Sequence, residues 1–244
     1  MRSPTPVRYT PRVMRISLPL MLLSSAPEVE KSLLGLVASD GSRGAILNAF
    51  EALEAAEPAP EDILLTDAGK TLLNGRWSLL GSITARVGDE PLDESGISNS
   101  VNASGLVIDA DTSKKPVQQI DFARGRIGNE IKANLPLVGS AIVRVAGSLD
   151  SDASKGRRAY VEFDSLEVFR ENDSGGMNRV LSAGFLFSLI RKVRPALTNG
   201  ADEGSWLDTT YANERVRLGR GNKGSIFILS KADDGDGPLA EFPM

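Results

Sequence analysis

The stretch WLDTTYANERVRLGRGNKGSIFIL, residues 206–229, reads as β-structure from end to end. Polar and apolar residues alternate over Trp206–Leu218, the period of a half-buried strand. Ser225–Ser230 is a short apolar run of strand length. Between the two, Gly219-Arg-Gly-Asn-Lys-Gly224 supplies the glycine and asparagine that a tight hairpin needs. The same hexapeptide invites a phosphate-cradle reading. Its spacing is not that of a P-loop, however, and a strand rather than a helix follows it. Two strands joined by a glycine-rich turn are therefore expected. Arg220 and Lys223 in that turn are candidates to touch a lipid head group or an anionic partner.

Further strand-like runs precede the hairpin: Leu72–Val87, Ser100–Asp109, Pro116–Phe122, Arg126–Leu135, Ser140–Leu149 and Arg158–Phe169. Gly, Asn, Asp or Pro punctuates most of the gaps. Roughly eight short strands in succession predict a mainly β fold, an up-and-down antiparallel barrel or a sandwich. In Val161–Phe169 the apolar positions are 161 and 163, then 166 and 168, so the alternation changes phase near Ser165 and predicts a bulge there. A closed sheet has no free edges and an interior that can hold one small apolar ligand. Alternation nominates Leu79, Val143, Val145, Phe163, Tyr211 and Phe227 as residues of that interior. Asp164, Glu167 and Asp208 are acids embedded in strands. They read as outward and solvated, with Asp208 pairing with Arg217 as the alternative.

Composition narrows the function classes. The chain has 244 residues, 41% hydrophobic and 25% charged, which suits a soluble globular protein with a real core. The net charge of −4 argues against general nucleic-acid binding. Cysteine and histidine are both absent, which removes disulfides, thiolate chemistry, the usual catalytic triad and the commonest zinc ligand. No cofactor or metal is expected, and no two carboxylates have the spacing of a catalytic pair. No apolar run approaches the ~20 residues that span a bilayer, so any membrane contact is expected to be peripheral.

Residues 1–27 read as a targeting leader. They carry Arg2, Arg8, Arg12 and Arg15, and no acid precedes Glu28, the composition of an organelle transit peptide. Ile16–Leu23 followed by Ser24-Ser-Ala26 could instead be a secretory signal, and a plain N-terminal arm is the third reading. Residues 28–60 read as a pair of amphipathic helices. Val29, Leu33, Leu34, Leu36 and Val37 form one face, and Ile46, Leu47, Phe50 and Leu53 the other. Ser42 is a candidate cap, and Pro58-Ala-Pro60 stops the second helix. The pair is expected over one barrel mouth, as a lid over apolar surface or as a partner-binding surface. Residues 61–231 hold the β-rich body, and 232–244 read as a solvated acidic tail.

One segment departs from the β pattern. Met177–Arg194 has helix length, is apolar round most of its circumference and ends in Arg191, Lys192 and Arg194. An inserted helix is expected here. Lid, core helix and lipid-touching element all remain open for it.

Three stretches resemble the plastid lipid-associated proteins, the plant and algal fibrillins. Residues 206–229 are similar to that family's C-terminal "WLDTTY…RGNKGSLFVL" signature. TLLNGRWSLL at 71–80 is similar to its "LLNGKWRLLYTT" segment, and the helical stretch from Val29 to Glu57 to its N-terminal helix pair. The chain departs from the pattern at Gly81-Ser-Ile-Thr84, where the family has "YTT", and at Tyr211-Ala-Asn-Glu214, where it has "YLDE". The resemblance implies a lipocalin-like barrel. In such barrels a Gly-x-Trp at the first strand plugs the closed end and an arginine of a late strand lies across the indole. Gly75 and Trp77 match the first part; Arg215 or Arg217 would supply the second. It further implies a non-catalytic protein of the plastid that binds or organises carotenoids, prenylquinones or acyl lipids at thylakoid or plastoglobule surfaces. The alternative is a scaffold for a plastid lipid or prenylquinone enzyme, docking through the N-terminal helices.

Overall fold

The structure, a computed structural model, describes residues 25–83, 101–103, 106–108, 114–135, 138–171, 177–182, 205–222 and 224–233. Two helices open it, α1 (Ala26–Ala38) and α2 (Arg43–Ala56), followed by a short α3 (Asp67–Leu73). Local chemistry sets their starts. Pro27 sits in the first turn of α1, and the Glu28 carboxylate accepts the Ser25 backbone N–H at 3.2 Å. The Ser42 hydroxyl accepts the Ala45 N–H at 3.3 Å, as its position predicts.

Eleven strands follow: β1 (Gly75–Ile83), β2 (Val101–Ala103), β3 (Leu106–Ile108), β4 (Val117–Asp121), β5 (Arg126–Leu135), β6 (Gly139–Ser151), β7 (Arg158–Glu171), β8 (Met177–Ser182), β9 (Ser205–Ala212), β10 (Val216–Gly221) and β11 (Ile226–Lys231). β2 and β3 form a separate hairpin. The other strands pair in the order β6-β5-β4-β1-β11-β10-β9-β7, and β7 returns to pair with β6. Eight antiparallel strands thus close into a barrel-like ring, and β8 extends the second half of β7 outside it.

Bulges reconcile this closure with the sequence pattern. β6 and β7 pair Val145 with Leu166 and Ala146 with Ser165, but Gly147 with Phe163, so the phase change near Ser165 is a bulge that keeps Phe163, Leu166 and Val168 on one side. β1 shifts register between Leu79 and Gly81 against β11.

The predicted 206–218 strand is corrected by the structure. It is a hairpin, β9 and β10, turning at Asn213, whose side-chain oxygen accepts the N–H groups of Arg215 and Val216 at 2.8 Å each. An Asx-type turn needs no glycine, so nothing in the alternation betrays it. The inserted helix is corrected as well. Residues 177–182 form β8, with Leu181 opposite Val168 and Arg179 paired with Glu167 at 2.8 Å. Pairing along β7 outweighs the helical periodicity at this end; residues 183–194 lie outside the described residues.

Three apolar clusters hold the fold. The first joins Trp77, Leu79, Ile120, Ile127, Leu149, Ala159 and Leu229 from the ring's inner face to Ala59, Ile63, Leu64 and Leu73. The segment 59–73 therefore closes one end of the ring. It is tied down by Ala59 N–H to the Thr210 carbonyl and Leu64 N–H to the Gly156 carbonyl, both 2.8 Å. Gly156 must be glycine, because a Cβ there would lie 2.4 Å from the Glu61 carbonyl oxygen. A second inner cluster, further along the ring, joins Ile131, Ala133, Ala141, Val143, Val145 and Val168. The third lies outside: Leu33, Ile46, Phe50 and Leu53 of the helices pack on Tyr211, Val216, Leu218, Ile226 and Ile228. The helix pair thus covers the outer wall of β9–β11. The mouth position expected for it is taken by the segment that follows it.

Candidate functional site

The ring's inner face is built around Trp77. Gly75, at φ +104°, takes a backbone conformation that favours glycine and turns the chain out of α3 into β1. Two residues on, the indole is fully buried and donates its Nε1–H to the Leu73 carbonyl at 2.8 Å. The Arg217 guanidinium lies 5.3 Å from the ring centroid and the Lys231 ammonium 4.4 Å from it. Lys231 also donates to the Asn74 carbonyl at 2.8 Å. Of the two arginines expected over the indole, Arg217 occupies the place. Arg215 points out of the ring and pairs with Glu30 of α1 at 2.8 Å.

Arg217 reaches across the interior and donates to the Gln118 side-chain oxygen on β4. Gln118 in turn donates to Asn129 Oδ1 at 3.1 Å. Register puts Gln118 between Trp77 and Asn129, and Asn129 beside Val145. A polar seam of Arg217, Gln118 and Asn129 therefore separates the two inner apolar clusters. Arg217 is only 1% exposed, and burial pushes its guanidinium down to about 9, which leaves it cationic at neutral pH. Burial also lowers the Lys231 ammonium, helped by the positive charge of Arg217.

Leu79 belongs to the cluster around Trp77, and Phe227 packs against it. Val143 and Val145 belong to the second inner cluster, and Phe163 packs against that one. Tyr211 does not join them, which corrects its assignment to the interior. The β9 bulge puts it opposite Leu218, on the outer face beneath α1. There its hydroxyl donates to Glu30 Oε2 at 2.7 Å, and Asn213 Nδ2 donates to the same oxygen at 2.6 Å. Burial and the Glu30 carboxylate push the Tyr211 phenol well above its ordinary value. Arg220 also faces α2: it pairs with Glu54 at 2.6 Å and lies 5.1 Å from the Phe50 ring centroid. Lys223 lies outside the described residues.

Asp208 pairs not with Arg217 but with Arg158 of β7, through two hydrogen bonds of 2.8 Å on the outer face. The same guanidinium stacks 3.5 Å from the centroid of Trp206. Glu167 is likewise not a solvated acid. On the outer wall of β5–β7, Arg144 donates to Glu130 at 3.0 and 3.2 Å and approaches Glu167 at 3.7 Å. Burial raises the Glu130 carboxyl despite the neighbouring Arg144.

Sequence reasoning missed the inner role of Gln118, Asn129 and Lys231. Alternation within VQQID places Gln118 and Ile120 on one face, but a lone glutamine at an inward position looks like an outward one until the ring closes. Among the described residues no group of acids could hold a metal ion, and no helix is long and apolar enough to cross a membrane.

The chain is similar to "Plastid lipid-associated protein 2, chloroplastic" of Brassica campestris, 29% identical over 209 residues, which are 81% of this chain and 64% of the relative. The chain thus spans less than two thirds of the length of that relative. The profile of the PAP_fibrillin family matches residues 20–230, nearly the whole described fold, and the chain belongs to the PAP/fibrillin family.

Proposed function

We propose that this protein binds or organises hydrophobic metabolites of the plastid, such as carotenoids, prenylquinones or acyl lipids, within its ring and without catalysis. The observation that carries the reading is the closed eight-strand ring with an apolar inner face, on which Leu79, Val143, Val145, Phe163 and Phe227 all lie. Such a ring buries no free sheet edge and can enclose an apolar molecule. Family membership and the chloroplastic relative support a plastid location, and thylakoid or plastoglobule surfaces are the proposed sites of action. Residues 28–231 form the proposed functional unit.

The alternative, a scaffold docking through α1 and α2, is less favoured. The apolar faces of both helices are occupied by the outer wall of β9–β11, leaving a mostly polar surface for a partner. Native mass spectrometry with lipid extraction on the chain purified from a pigment-containing plastid lysate separates the two. A stoichiometric carotenoid, quinone or acyl lipid is expected. A lipid-free chain arriving with a protein partner would overturn the binding reading in favour of the scaffold.

A further inference from the structure

Four charged side chains alternate in sign across the outer wall of β5–β8: Glu130, Arg144, Glu167 and Arg179. The row runs from Glu130 and Arg144, whose side chains are 2% and 3% exposed, to Arg179 at 58%. Arg144 serves two acids unequally. It donates to Glu130 Oε1 at 3.0 and 3.2 Å, while its Nη1 stands 3.7 Å from Glu167 Oε2, beyond a normal hydrogen bond. Arg179 holds the other Glu167 oxygen, Oε1, at 2.8 Å. At the inner end of the row Glu130 Oε2 is buried and accepts no hydrogen bond. A buried anionic oxygen without a donor is costly, and an unmet neutral O–H costs less. Among the described residues, the charged groups around Glu130 are Arg144 on β6, Glu167 beyond it on β7, Arg76 on β1 and Lys132, two residues along β5 on the same face. Burial raises the Glu130 carboxyl and prevails over Arg144 and Arg76, which favour its charged form.

We propose that Glu130 is a proton-operated switch in the outer wall: when Oε2 takes a proton from solvent, Arg144 turns to Glu167 and draws β6 and β7 together, so the wall tightens as the surroundings acidify. Whatever the ring encloses, the switch lies on the other side of the wall. Its balance is simple. One O–H bond forms on Glu130, and the row passes from two anions and two cations to one anion and two cations. Arg144 then keeps a single full anionic partner. The geometry accommodates the move, because Glu167 Oε2 faces Arg144 while Arg179 occupies Oε1. Closing the 3.7 Å gap replaces a loose ion pair by a charge-assisted hydrogen bond between Arg144 and Glu167, residues that already stand opposite each other in the β6–β7 register. The sign follows from the raised carboxyl. The folded chain binds this proton at a pH where the unfolded chain has released it, so the stability the proton contributes is complete at low pH and is lost as pH rises through the folded value.

The test is carboxyl-carbon NMR of the full chain, titrated from neutral to mildly acidic pH, with hydrogen exchange measured at the same points. The Glu130 carboxyl is expected to titrate above the ordinary glutamate range. Across its midpoint the amides of the paired segments 143–145 and 166–168 are expected to gain at least about threefold in protection, once the intrinsic pH dependence of exchange is removed. Glu167→Gln should keep the Glu130 titration and lose that gain, because the handed-over guanidinium then meets no charge. A Glu130 midpoint within or below the ordinary range would overturn the switch. Unchanged or falling protection in the wild type would overturn it equally, as would a gain that survives in Glu167→Gln. The wild-type titration and exchange decide even if the variant does not fold.

Discussion

Arg217 and Arg220 stand three residues apart on β10 and face opposite sides of the wall. Arg220 looks outward, where Glu54 meets it at 2.6 Å and Phe50 lies beneath it. Arg217 looks inward, fully buried, with an amide and an indole in place of a carboxylate. The outer face is complemented by the protein itself: Glu30 with Tyr211, Asn213 and Arg215, and Arg220 with Glu54, fasten the helix pair to the ring. Among the described residues the inner face is apolar and crossed by one polar band of Arg217, Gln118 and Asn129.

The largest effect that can test this contrast is on the inner face. Trp77→Ala removes a fully buried indole that anchors the cluster joining segment 59–73 to the ring. A loss of about 3–5 kcal/mol is expected, read by urea denaturation with the midpoint and slope fitted separately. A loss under about 1 kcal/mol would mean the closed end is not held by this plug.

On the outer face, Glu30→Ala leaves the Tyr211 hydroxyl and Asn213 amide beneath α1 without their shared acceptor. A smaller cost of about 1–3 kcal/mol is expected. Hydrogen exchange should quicken in α1 and the β9–β10 turn while the Trp77 end stays protected. Uniform loss of protection would erase the distinction between the two faces.

Tyr211→Phe sharpens the same point through pH. The folded phenol is held well above its ordinary value, so the folded state keeps its proton where the unfolded chain releases it. The stability this hydroxyl contributes is complete below the ordinary tyrosine value near 10 and falls as pH rises beyond it. Wild type minus Tyr211→Phe should therefore shrink above pH ~10 and be flat through neutrality. A difference that grows with alkalinity would contradict the Glu30 contact.

The smallest effect belongs to Arg220, which is 39% exposed in its pair with Glu54. A double-mutant cycle of Arg220→Ala and Glu54→Ala should return a coupling below about 1 kcal/mol that fades with added salt. A salt-insensitive coupling would mean this ion pair is shielded like the buried ones.

Much of the ring is legible in the sequence. The spacing of turn residues outlines most of the strands, the apolar positions in Val161–Phe169 announce the bulge at Ser165, and the Gly75-x-Trp77 pair marks the start of the barrel wall. The site is less legible. Leu79, Val143, Val145, Phe163 and Phe227 follow from alternation, but Tyr211 fails because the β9–β10 register shifts and turns it outward. Met177–Ser182 is misread because its helical periodicity is overridden by a neighbouring strand.

By itself the sequence determined the element types over most of the described residues, though not α3, together with the Ser42 cap and the family, since these depend on residues close along the chain or on a contiguous signature. Only the tertiary structure decided which face is inside, that segment 59–73 rather than the helix pair closes one end, and that Arg217 meets Gln118, ninety-nine residues away in sequence. The physical reason is closure. Alternation tells two faces apart without naming the inner one, and a partner across the ring is set by the pairing of strands between β10 and β4.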